Sequence, residues 1–352
     1  MHHRYGGTLM TALKSLALFL LLAAVVPAAA EDLFDVKPVA DGVWAAIAKP
    51  HRPENANSAV IELDRGLLVV DAASTPSSAR GLISQVRKLT PKPVVWIVNT
   101  HYHWDHYWGN EAFVEAWPHV RIVSSEATRR DMQSAELGNA QLETWKKEIP
   151  SLIEKWKAAL PKATDAAERA KLQDRIVKWG AAVEEFKQMR LVLPGVTFEK
   201  ELILRDPRRR VQILWLGGAH TPGDVVVYLP ESRVLVSGDM LAGDTPYIGA
   251  VSPTEWVATL NKVGRLDFDT VIPGHGDVEH GKTHLELWKR YLTDLMTETS
   301  RAFARGESLA AATKSVVPIL KARYADKFPE GFSYAVEGNV EAAYGFISKK
   351  QN

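Results

Sequence analysis

Residues 93–98 (PVVWIV) run straight into Asn99-Thr100-His101-Tyr102-His103-Trp104-Asp105-His106, and this junction constrains the fold more than any other feature. A short, β-branched apolar run reads as a strand buried on both faces, which needs neighbours beside it and cover above and below. At its carboxyl end, three imidazoles and a carboxylate fall within six residues. If the backbone stays extended, His101 and His103 project to one side, because side chains alternate with period two. Asp105 and His106 then sit at the turn into the next helix, aimed at a neighbouring point. A lone histidine is usually an ordinary core or surface residue, and a lone Asp105 reads as an N-cap. Four such residues at one strand end point to metal ligation instead. The chain has no cysteine, which removes thiolate ligands, iron–sulfur clusters, disulfides and thiol nucleophiles together. Imidazole and carboxylate remain, the ligands that suit zinc, with iron or manganese also compatible.

Around this junction, strand and helix patterns alternate. Short apolar runs at Val43–Ala48, 58–63 and 66–70 read as strands, the last two as a hairpin across Asp64-Arg65-Gly66. Residues 75–89 carry Leu82, Ile83, Val86 and Leu89 at helical spacing, and 120–123 is a further strand. Residues 126–191 break the rhythm with two amphipathic stripes: Leu142, Trp145, Ile149, Leu152, Trp156 and then Leu172, Ile176, Trp179, Val183, Phe186. They read as a helical insertion, with Pro150 kinking the first stripe or starting a new helix. Packing on its own domain, a lid over a site and a dimer surface are the three roles open to it. Strand patterns return at 197–204, 211–216, 225–229 and 233–237, then a helix at Pro253–Val263, a strand at Thr270–Pro273 and a long helix from about residue 279. A second β-rich, helix-flanked half thus mirrors the first. The expected class is α/β, a four-layer αββα sandwich with helices outside.

The first thirty residues stand apart. Arg4 and Lys14 precede the apolar stretch 15–26 (SLALFLLLAAVV), and Pro27-Ala28-Ala29-Ala30 offers a small-residue cleavage pattern before Glu31-Asp32. This reads as an export signal cleaved after Ala30, leaving residues 31–352 as one domain, periplasmic or secreted and without a stable membrane anchor. The domain then includes the insertion at about 126–191 and a helical C-terminal segment at about 279–352. Removing Arg4 and Lys14 lowers the formal charge from +1 to −1. With 43 Lys+Arg against 42 Asp+Glu there is no basic excess, so a nucleic-acid partner is not expected, and a small-molecule substrate is.

His101-x-His103-x-Asp105-His106 resembles the signature of the metallo-β-lactamase superfamily of metallohydrolases. Four further stretches, in the family's order, support the resemblance: Val69-Val70-Asp71, Gly218-Ala219-His220-Thr221-Pro222-Gly223-Asp224, Ser237-Gly238-Asp239 and Pro273-Gly274-His275-Gly276. The resemblance implies two metal ions, with His101, His103 and His220 on the first, Asp105, His106 and His275 on the second, and Asp239 between them. It implies two dications about 3.5–4 Å apart sharing a hydroxide that attacks a carbonyl. The resemblance makes Asp105 and Asp239 the expected catalytic carboxylates, which would also offset the ions' charge.

Further candidates have two readings each. Asp71 either orients a ligating imidazole or ends its strand in a plain turn. Thr221 and Asp224 either do likewise or cap their own turn. Tyr102, Trp104 and Trp108 either wall a substrate cleft or pack. Tyr247 either offers a hydroxyl near a developing oxyanion or packs. His51, His119, His280 and His284 sit in no motif and read as surface residues.

Within the resemblance, the absence of cysteine excludes thiolate-ligated β-lactamases, and His103 stands where flavin-linked di-iron oxidoreductases carry an acid. The RNA-processing branch and glyoxalase II-like thioesterases fit poorly with an exported, near-neutral chain. What remains is a binuclear zinc hydrolase of a small ester, lactone, thioester or β-lactam. A dedicated β-lactamase is the alternative, and a metal-binding protein without turnover is the alternative from another class.

Overall fold

The computed structural model describes residues 33–49, 54–243, 245–328 and 331–351; the expectations for residues 1–30 and for His51 lie outside them. Two mixed sheets lie face to face. The first has seven strands in chain order: β1 (Phe34–Ala40), β2 (Val43–Ala48), β3 (Ser58–Glu62), β4 (Leu67–Val70), β5 (Val94–Val98), β6 (Arg121–Ser125) and β7 (Val196–Phe198). β1 to β4 form an antiparallel meander, and β4 to β7 run parallel. Each parallel step requires a crossover. These are α1 (Pro76–Leu89), the pair α2 (Trp104–Tyr107) and α3 (Asn110–Ala116), and the long excursion α4 (Glu126–Gln133), α5 (Gly138–Ala159) and α6 (Ala166–Gln188). The insertion is therefore the enlarged crossover between β6 and β7.

The second sheet has six strands in the order β13-β12-β11-β10-β9-β8. They are β8 (Glu201–Arg205), β9 (Arg210–Leu214), β10 (Val226–Leu229), β11 (Val234–Gly238), β12 (Thr270–Pro273) and β13 (Glu279–His280). Its one parallel pair, β11 with β12, is bridged by α7 (Pro253–Val263). Three helices follow: α8 (Thr283–Ala304), α9 (Leu309–Tyr324) and α10 (Phe332–Gln351).

Alternation along the strands builds three apolar layers. Leu68 and Val70 of β4 face the second sheet, joining Val43, Ile61 and Val98 to Val211, Ile213, Val227 and Ile272. Leu67 and Val69 face outward, onto Leu82, Ile83 and Val86 of α1 and Phe113 of α3. Beyond the second sheet, Val226, Leu235 and Val271 pack under Trp256, Leu260, Trp288, Leu292 and Leu320. Each such side chain contributes roughly 1.5–3 kcal/mol on burial. The expected four layers, helices outside two sheets, are present. Local signals set the crossovers too: Thr75 caps α1 by accepting the Ser78 N–H, Pro76 opens it, and Arg87 and Lys88 close it.

Three expectations change in detail. The run 197–204 is two strands in different sheets, because the chain crosses the sandwich between β7 and β8. The C-terminal helical segment starts at Thr283, after a short β13, and is divided into α8, α9 and α10. α5 continues through Pro150, since the buried Ile149 and Ile153 beside it hold the helix against the lost backbone bond. β1 carried no expectation: its Lys and Pro mask an edge strand, where both are tolerated.

Candidate metal centre

All the candidate ligands leave the carboxyl ends of their strands, so they gather on one rim of the sandwich, where ligands bind in open α/β sheets. Asp71 follows β4, His101 to His106 follow β5, His220 follows β9, Asp239 follows β11 and His275 follows β12. Two adjacent ligand sets result, His101 with His103, His220 and Asp239, and Asp105 with His106 and His275. Within each set the donor atoms lie within 4.8 Å of one another. Asp239 faces both. Its Oδ2 is 3.8 Å from His101 Nε2, 3.5 Å from His220 Nε2 and 3.2 Å from His275 Nε2, and its Oδ1 is 3.2 Å from His106 Nε2. Asp105 Oδ2 lies 3.5 Å from His275 Nε2.

The donor set fits divalent cations. His101 Nε2, His106 Nε2 and Asp239 Oδ1 are sealed from solvent and make no hydrogen bond, an arrangement that costs about 1–3 kcal/mol per group unless something else satisfies it. His103 Nδ1 and His220 Nε2 approach to 2.8 Å. Four of the five rings are held from behind, as metal-bound imidazoles require. The Nδ1 atoms of His106, His220 and His275 meet Asp71 Oδ2 (2.7 Å), the Tyr247 carbonyl (3.2 Å) and the Asn55 carbonyl (2.9 Å). His101 Nδ1 meets Thr100 Oγ1 at 3.0 Å. Carboxylate and carbonyl only accept, so these nitrogens carry the proton and Nε2 turns inward with its lone pair.

Asp71 has the contacts that its orienting reading requires. Besides His106, it accepts the Thr100 N–H and the Thr100 hydroxyl, each at 2.8 Å. Because Thr100 Oγ1 donates to Asp71, it has a lone pair free for His101 Nδ1–H. One carboxylate thereby steadies a histidine from each set. It sits at φ 61°, a left-handed conformation that aspartate tolerates better than most residues. Thr221 and Asp224 follow the capping reading: Asp224 accepts the Thr221 N–H at 2.8 Å and its hydroxyl at 2.7 Å, closing the turn that presents His220.

The aromatics divide. Trp108 is fully buried and packs. Trp104, half-buried, lies 5.0 Å from Trp145 and 6.2 Å from Trp179 of the insertion, so the hairpin braces the single-turn α2 that carries Asp105 and His106. Tyr102 is buried, its ring 4.7 Å from His103. Tyr247 is 64% exposed with its ring 6.1 Å from His220, which leaves it available at the rim. Sequence reading gave no role to Thr100, although it opens the histidine cluster, or to Asn55, which has no motif, and took His284 for a surface residue. His284 is half-buried, with Nε2 2.8 Å from the Ala242 carbonyl behind the site.

Without ions the two sets differ in charge. Burial, then the neighbouring His220, pushes His103 down to about 3, and burial likewise lowers His101 and His220. Burial also opposes charge on His106 and His275, yet Asp239 and the carboxylates around it prevail, raising His106 well above its ordinary value and His275 to about 9. Burial works against Asp239 and Asp105 as anions, and those same imidazoliums hold both low. The second set thus favours protons where a cation would otherwise sit, and the first does not.

A catalytic rim of this kind, with paired His/Asp ligand sets over an αββα sandwich, defines a metal-dependent hydrolase. The Metallo-beta-lactamase superfamily profile matches residues 51–275, more than half of the sequence, and the chain belongs to that superfamily. It is 26% identical over 266 residues to a linear primary-alkylsulfatase of a Pseudomonas species, covering 74% of this chain and 48% of that one. It is 33% identical over 123 residues to a Bacteroides fragilis metallo-beta-lactamase type 2, covering 33% of this chain and 48% of that one. The chain thus spans about half the length of the curated relatives it matches. A solved metallo-beta-lactamase from Pontibacter korlensis shares the fold, with TM-score 0.52 and 18% identity, covering 74% of this chain and 99% of the other.

Proposed function

We propose that this chain is a two-zinc hydrolase of small esters, with sulfate esters of primary alcohols the first class to test and carbonyl substrates, β-lactams included, the second. The position of Asp239 between the two ligand sets carries the two-ion reading. Bound divalent ions supply Lewis acidity and bring the pKa of water near 7. Asp239 and Asp105 would hold the ions and offset their charge. Asp71 and Thr100 keep the imidazoles in the ligating tautomer. Tyr247, exposed beside His220, is the candidate donor to a developing negative charge. The alkylsulfatase relative supports the sulfate class by covering 74% of this chain, against 33% for the β-lactamase relative.

The test is a panel of octyl sulfate, 4-nitrophenyl acetate, a γ-lactone, an acyl thioester and a cephalosporin, with zinc-loaded and metal-stripped protein. The expected result is metal-dependent turnover of octyl sulfate with kcat/KM at or above about 10⁴ M⁻¹s⁻¹. A cephalosporin rate at that level with sulfate inert favours the β-lactamase reading instead, and a zinc-loaded protein inert to all five favours metal binding without turnover. Export with cleavage after Ala30 belongs to the same proposal, and a periplasmic product whose first residue is Glu31 is its check. No helix among the described residues is long and apolar enough to cross a membrane.

A further inference from the structure

Among the described residues between β2 and β3, Asn55 reaches the site. Asn55 Nδ2 donates to Asp105 Oδ2 at 3.1 Å, and the Asn55 carbonyl accepts from His275 Nδ1 at 2.9 Å. Asp105 comes from the loop after β5 in the first sheet, and His275 from the loop after β12 in the second. Asn55 is the described residue that joins those two ligands from outside the ligand sets. Among the described residues, the hydrogen bonds of Asn55 reach Asp105, His275 and Glu54, and no member of the first set.

Both sides of Asn55 are clamped. Glu54 is buried and accepts the N–H of Asn55 (2.9 Å), of Ala56 (3.0 Å) and of Ser74 (3.0 Å), along with the Ser74 hydroxyl (2.5 Å). Asn57 is buried and spans the sandwich. Its N–H donates to the Gly274 carbonyl at 2.7 Å, and its Nδ2 donates to the carbonyls of Pro273 (3.0 Å) and Gly276 (2.7 Å). Its Oδ1 accepts the Ala48 N–H at 2.9 Å. A buried carboxylate spent on four donors of its own neighbourhood holds a loop conformation, and what that conformation presents is Asn55.

We propose that Asn55 is a positioning residue for the second ligand set, setting the spacing between its Asp105 and His275 arms. This rests on the two-ion reading above. The side-chain arm fixes which Asp105 oxygen faces His275, and the carbonyl arm fixes the His275 ring.

The experiment is calorimetric titration of zinc into the metal-free full chain, comparing wild type, Asn55→Ala and Glu54→Gln. Wild type is expected to take two equivalents. In Asn55→Ala the first equivalent stays within twofold of wild type and the second weakens about tenfold, the usual scale for a partner behind a metal ligand. The metal-free melting temperature stays put, because the Asn55 side chain is exposed. Glu54→Gln turns an NH₂ toward the Ser74 N–H, loosens the loop that carries both arms, and likewise weakens the second equivalent. Equal weakening of both equivalents in Asn55→Ala, or neither, overturns the proposal and leaves the two-ion site intact. A wild type that binds one equivalent overturns the two-ion reading and the proposal with it.

Discussion

Asp71→Asn removes a charge while keeping shape, and asparagine accepts φ 61° as readily as aspartate, so the backbone is not perturbed. Asp71 accepts three hydrogen bonds on two oxygens, from Thr100 N–H, from the Thr100 hydroxyl and from His106 Nδ1. An amide has one acceptor oxygen. With that oxygen toward the hydroxyl and His106, its NH₂ opposes the Thr100 N–H; turned round, it loses both other partners. The better orientation leaves one buried donor facing another, about 1–3 kcal/mol of stability in the metal-free protein. The effect on ions is separate and reaches both sets, because His106 is held directly and His101 through Thr100. A 10- to 100-fold loss at each equivalent is expected. The assay is zinc competition against a chromogenic chelator, with thermal unfolding of the stripped protein in parallel. Two equivalents bound within twofold of wild type, with an unshifted melting temperature, would refute Asp71 as the common anchor.

Gly274→Ala is expected to abolish the site, because a methyl there would lie 2.0 Å from Asp239 Oδ1 and 2.7 Å from the Gly238 carbonyl carbon, and the backbone cannot yield. Metal content and kcat/KM check it, with a fall of at least about 100-fold expected. The metal-free protein should lose stability as pH rises from about 6.5 to 9. His275 is raised to about 9 from 6.5, so the folded state holds a proton that the unfolded chain releases earlier; its contribution is full below pH 6.5 and gone above 9. Asp224, lifted to about 7 by burial, adds the same slope at lower pH, between about 4 and 7. Melting temperatures across pH 6–9.5, with and without zinc, test this: the slope should flatten when ions replace protons, and a flat metal-free curve counts against the assignment.

The sandwich and the gathering of the candidate ligands were legible because both rest on local pattern. A β-branched run ending in His101-x-His103-x-Asp105-His106 announces strand and ligands together, and the strand ends before His220, Asp239 and His275 do the same less loudly. The residues that hold those ligands were not legible. Asn55 and Glu54 act through hydrogen bonds that depend on how the chain brings its loops together, and nothing in their neighbours' composition marks them; Thr100 stands beside His101, but its role appears only once Asp71 is folded against it. The run 197–204 was misread for a related reason: a two-residue passage from one sheet to the other leaves no change of period to detect.

Each ligand set draws residues from both halves of the molecule. His101 and His103 come from the first sheet and His220 and Asp239 from the second; Asp105 and His106 come from the first and His275 from the second. Bound ions would therefore act as rivets between the two sheets as well as reagents. At a thousandfold excess over its dissociation constant, a single ion adds about 4 kcal/mol against unfolding. Neither half can then separate without surrendering both ions, so a metal-loaded chain should unfold as a single body.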